Sequence, residues 1–135
     1  MAEPGEPGVP GRLLYLYLGS ADVAADLAWW NEALAAELLW RYQAFGADVA
    51  AVRLGPPGAE GPAVVLADHR PVPSCLPIWA VDDLEAALEW AGIAGYTVRP
   101  RRIDLPDGPA LVLSDRSGNQ LALLRQDRPD ALLEG

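Results

Sequence analysis

The sequence predicts an α+β fold: two βαβββ modules forming a cupped eight-stranded mixed sheet with helices on the convex side. Three observations carry that prediction. Asp22-Val23-Ala24-Ala25-Asp26-Leu27-Ala28-Trp29 is echoed, at an offset of 61 residues, by Asp83-Leu84-Glu85-Ala86-Ala87-Leu88-Glu89-Trp90. Each copy follows a short apolar run, Leu13 to Leu18 in the first and Leu76 to Val81 in the second. Each is followed by apolar segments broken by Gly and Pro. A repeat of this length marks a duplicated supersecondary unit.

In the first copy, Leu13 to Leu18 reads as a strand, and Gly19-Ser20-Ala21-Asp22 breaks it. Ser20 or Asp22 accepts from the free N–H groups of the helix that follows. That helix is expected to run to about Leu38, with Val23, Leu27, Trp30 and Leu34 as its apolar stripe. Trp40 to Phe45 and Asp48 to Leu54 read as a hairpin turning at Gly46, the Gly/Pro-rich stretch from Gly55 to Pro62 as a loop, and Ala63 to Ala67 as a strand. In the second copy, Leu76 to Val81 is a strand and Asp82 to Ala91 a helix stopped by Gly95. Tyr96 to Ile103, Ala110 to Ser114 and Gln120 to Arg125 are strands. They are separated by the Pro106-Asp107-Gly108 turn and by Asp115-Arg116-Ser117-Gly118-Asn119.

The organisation expected is a flexible tail at 1–11, a first module at 12–68, a linker at 69–75, a second module at 76–126 and a C-terminal tail at 127–135. A chain 51% hydrophobic with 5 Trp has enough apolar material for a packed interior, which excludes a disordered protein. Its apolar stretches are too short and interrupted to span a membrane, and the start lacks the basic, then apolar, pattern of a secretory signal. One cysteine, Cys75, rules out an internal disulfide framework, and a cytoplasmic location is expected. The net charge of −9 opposes nucleic-acid binding; every basic residue other than the lone His69 is Arg. The acidity either attracts a cationic ligand or simply keeps the protein in solution.

Three local features together resemble the vicinal oxygen chelate superfamily of glyoxalases, bleomycin resistance proteins and extradiol dioxygenases. They are Asp22 with the later Trp29-Trp30 pair, Ala80-Val81-Asp82-Asp83-Leu84 at the strand exit into the second helix, and Asp115-Arg116-Ser117-Gly118-Asn119-Gln120-Leu121 before the last strand. Arg116 stands where the family usually has Pro. The resemblance spans roughly Arg12 to Arg125. It implies a divalent ion held by His and Glu from four strands, with open positions for substrate. Carried over one at a time, the ligand positions fall on Tyr15, on Leu76, on Ala122 and near Val65. None is a usual ligand, so no metal and no cofactor is expected. The resemblance also implies a homodimer.

Other chemistry is weak. Cys75 has only His69 as a base, with Pro71 and Pro73 between, and reads as a small half-buried residue; His69 reads as solvated. No serine has a nucleophile-elbow context, and no phosphate loop is present. Asp82-Asp83 and Asp104/Asp107 fall at a helix start and a turn, where carboxylates cap backbone groups.

Alternation directs Tyr15, Tyr17, Val65, Leu76, Ile78, Gln120 and Ala122 to the cavity, and Leu14, Leu16, Leu18, Trp79, Leu121 and Leu123 to the helices. Trp40 and Tyr42 add aromatic faces. Arg53, Arg99 and Arg101 either reach the rim to meet an anionic group or line a solvated strand face; Arg101 is taken as a candidate ligand contact. Trp29, Trp30 and Trp90 read as core packing or a subunit contact. An oily, phenolic cavity suits a small aromatic or cationic organic molecule, held for sequestration or resistance. The alternatives are a metal-independent isomerase, lyase or cyclase with Tyr15 or Tyr17 as acid, a metal-dependent glyoxalase or dioxygenase, and a non-catalytic module with a filled cup.

Overall fold

Alternation along β1 (Leu13–Gly19) sorts the first module into two faces. The computed structural model describes residues 9–44, 46–55, 61–105 and 107–127, with backbone alone at 44, 99–101 and 103–105. After β1 come α1 (Val23–Leu34), β2 (Glu37–Ala44), β3 (Ala47–Arg53) and β4 (Ala63–Ala67). The strands lie in the order β2-β3-β4-β1, with β1 parallel to β4 and the other pairs antiparallel. Leu18 packs with Val52, Val64, Leu66 and Ala36 against Leu27 and Trp30 of α1. Tyr15 and Tyr17 pack on the other face, with Val49, Ala51, Ala63, Val65 and Ala67.

Asp22 is the cap of α1, accepting from the Ala25 N–H at 3.0 Å. Ser20, the other candidate cap, is buried and donates instead to the Asp26 carboxylate. The helix ends at Leu34, four residues earlier than expected. Ala35 takes a left-handed φ of 53°, the Ala36 N–H reaches Trp30 O, and the Asn31 amide donates to Ala36 O. Those bonds satisfy the turn, bury Ala36 and release Leu38 into β2. Leu34 is therefore exposed rather than part of the apolar stripe.

The second module runs β5 (Cys75–Ala80), α2 (Leu84–Ala94), β6 (Thr97–Leu105), β7 (Gly108–Ser114) and β8 (Gln120–Leu124). Its strand order is β5-β8-β7-β6, again with one parallel pair, β5 with β8. Asp83 caps α2 by accepting from Glu85 and Ala86, and Gly95 closes it with φ 90°. The helix thus reaches Ala94, three residues beyond the expected Ala91. Leu84, Ala87 and Ala91 pack on Leu111, Leu113 and Leu123, with Trp79, Trp90 and Leu121 beside them. By compactness the chain divides into Leu14–Leu76 and a second unit made of Pro77 onward with the residues up to Leu13. In that second unit Gly11 and Arg12 bond the backbone of Ala80.

No helix among the described residues is long and apolar enough to cross a membrane. Most of the Gly/Pro loop, Phe45, Pro106 and most of both tails lie outside the described residues.

Candidate functional site

The helix-free face of the first module holds several of the candidate ligand contacts. Three strand pairings build it. Tyr17 opposes Val65, Val65 opposes Ala51, and Ala51 opposes Trp40, which makes one row across four strands. Tyr15 opposes Ala63 beside that row. A β-bulge between Leu38 and Trp40 sets the phase: Leu38 pairs with Val52 of the helix face, and Trp40 with Ala51 of the other. Without the extra residue, Leu38 and Trp40 would share a face. The result is a buried floor of Ala51, Ala63, Val65 and Ala67, walled by the half-buried rings of Tyr15, Tyr17 and Trp40. Tyr42 opposes Val49 at the β2 edge of the same face and is 45% exposed, so it contributes a rim rather than a wall.

Polar groups enter from the segment after β4. His69 is exposed, as expected from sequence, but it has a partner: its Nε2 lies 3.2 Å from the Tyr17 hydroxyl, with the rings edge to face. The Arg70 guanidinium carbon sits 5.8 Å from the centre of the Tyr17 ring, within cation–π range. This segment is held close because Gly19 N–H bonds Ser74 O and Gly19 leaves no room for a side chain beside Pro71 O. Burial pushes the Tyr17 hydroxyl above its ordinary value, and the Arg70 charge only partly opposes that. Tyr17 is thus a firm neutral hydrogen-bonding group near neutral pH. The depressed value that an ionising tyrosine acid calls for is not found.

In the second module Ile78 opposes Ala122, which opposes Val112; Gln120 opposes Ser114. Leu76, two residues before Ile78, is buried on the same side of β5. The side chains of Arg99 and Arg101 lie outside the described residues. Cys75 is exposed, not half-buried, because it opens β5 beside the exposed Pro71–Pro73 segment. Trp29 is 56% exposed, whereas Trp30 and Trp90 pack into their modules.

The donor set does not fit a metal ion. A phenol, two branched aliphatic side chains and a methyl group occupy the ligand positions. Among the described residues no three of His, Cys, Asp and Glu gather closely enough to hold one. An open groove of about 310 Å³ lies elsewhere, between α1 and β2–β3, lined by Leu27, Ala28, Asn31, Ala36, Leu38 and Val52. Its one polar side chain is Asn31, which donates to Ala36 O.

The fold is one shared with methylmalonyl-CoA epimerases of solved structure. The chain is similar in structure to methylmalonyl-CoA epimerase from Mycobacterium tuberculosis, with TM-score 0.69 and 14% identity over 87% of this chain and 89% of that one. It is similar to a hypothetical protein from Bacillus halodurans C-125, with TM-score 0.69 and 11% identity over 84% of this chain and 93% of that one. A Streptomyces coelicolor methylmalonyl-CoA epimerase variant in complex with 2-nitronate-propionyl-CoA also matches, with TM-score 0.69 and 12% identity over 89% and 97%. No protein-family model and no curated protein matches the chain.

Proposed function

We propose that this protein binds a small organic molecule with an aromatic body on the helix-free face of its first module, without a metal. The observation that carries the proposal is the register row Trp40–Ala51–Val65–Tyr17: two aromatic rings separated by two small apolar side chains. That spacing leaves a flat apolar seat between rings that stack on a planar guest. Each 100 Å² of apolar surface buried there contributes on the order of 2.5 kcal/mol. The Tyr17 hydroxyl and His69 imidazole supply the polar groups that orient the guest. The Arg70 guanidinium beside Tyr17 favours the aromatic option over a cationic guest. Structural neighbours crystallised with acyl-CoA ligands support small-molecule binding by this fold. Sequestration of the resistance type, a homodimer and a cytoplasmic setting complete the proposal. Tyr15 and Tyr42 are its further candidate contacts on this face.

A second reading, metal-free catalysis, is favoured by the contact of a hydroxyl with an imidazole at Tyr17 and His69. The raised pKa of Tyr17 makes it a poor acid, so binding ranks first. The test is tryptophan fluorescence of chelator-treated protein against a panel of aromatic metabolites. Saturable quenching that disappears in Trp40→Phe supports binding at this face. Binding or turnover that requires an added divalent ion contradicts it.

A further inference from the structure

Two arginines of the first module, Arg53 and Arg70, bury the Nε of their guanidinium groups with no hydrogen-bond partner among the described residues. Arg41, Arg102 and Arg125 behave differently: each holds a carboxylate, of Asp48, Glu85 and Asp127 respectively. The chain has 19 acidic residues, so carboxylates are not scarce. Neither Arg53 nor Arg70 forms an ion pair with any described one. A buried charged donor without an acceptor is costly, so water or a bound ligand has to supply one.

The placement of the two fits that. Arg53 ends β3, two residues beyond Ala51, on the face that carries Val65 and the tyrosines. Arg70 lies over the Tyr17 ring. An arginine edge presents two N–H groups to the two oxygens of a carboxylate. We propose that the molecule taken by this face carries a carboxylate, which docks on Arg70 beside Tyr17, with Arg53 as a second contact. This rests on the binding function proposed above and names its ligand class. The net charge of −9 does not oppose it, because the local groups and not the distant acids set the interaction at contact range.

The test is calorimetry with three probes that share one ring system: indole-3-acetate, indole-3-acetamide and tryptamine. The carboxylate is expected to bind about tenfold tighter than the amide. Arg70→Gln is expected to reduce that preference to about twofold. Arg70→Lys, which keeps the charge but loses the planar edge, is expected to fall between them and serves if the Gln variant does not fold. Equal or tighter binding of the amide or of tryptamine overturns the carboxylate assignment and leaves the binding function standing. Failure of all three probes to bind counts against both.

Discussion

The Tyr17 hydroxyl and the His69 imidazole, 52 positions apart in the chain, meet at 3.2 Å. Burial of that hydroxyl raises its pKa above the ordinary tyrosine value of about 10. The sign follows: folded protein holds the proton more tightly than unfolded chain. Stability from this group is therefore full below the ordinary value and declines as pH climbs through it toward the folded value. An alkaline absorbance titration should show one late-ionising tyrosine that Tyr17→Phe removes. In denaturant melts, the variant should lose less stability than the parent on the alkaline side.

Gly19 holds the His69–Arg70 segment against β1. A Cβ there would lie 1.8 Å from Pro71 O, a backbone atom that cannot swing aside. Gly19→Ala should destabilise by about 3 kcal/mol. Chemical denaturation reads the loss, and ligand binding should weaken in the protein that remains folded.

Gly92 offers the opposite case. It sits inside α2, and a Cβ there would meet nothing within 4 Å. Gly92→Ala should stabilise by about 0.5–1 kcal/mol, seen as a higher denaturation midpoint with unchanged slope.

The two modules, their helices and the strand Ala63–Ala67 were legible because local signals set them: Asp22 and Asp83 as caps, Gly95 as a stop, and strict alternation in β1. The Asp115 turn was legible too. Three features were not. The bulge at Leu38/Trp40 depends on pairing with β3, which a single strand does not announce. The left-handed Ala35 runs against residue preference and is held by Asn31 and Trp30 O around it. The approach of His69 to Tyr17 depends on Gly19 and Pro71, so the linker read as inert from its sequence alone.

Asp115 accepts from the N–H groups of Ser117 and Asn119 and from the Asn119 amide. Those bonds hold its carboxyl below the ordinary carboxylate value. Asp48 is held low likewise by its pair with Arg41. The folded values being depressed, both contributions are present at neutral pH and are lost as pH falls from the ordinary value through the folded one. Asp115→Ala should flatten the acid limb of a stability-versus-pH curve, with the β7–β8 turn the first region to lose amide protection.

Binding at the helix-free face is tested most directly by a two-dimensional NMR titration of chelator-treated protein with indole-3-acetate, following alanine and valine methyl signals. Saturable shifts should centre on Ala51, Ala63 and Val65, while Val52 and Val64 on the helix face stay still. Shifts confined to the helix face, or shifts that need an added divalent ion, would contradict it.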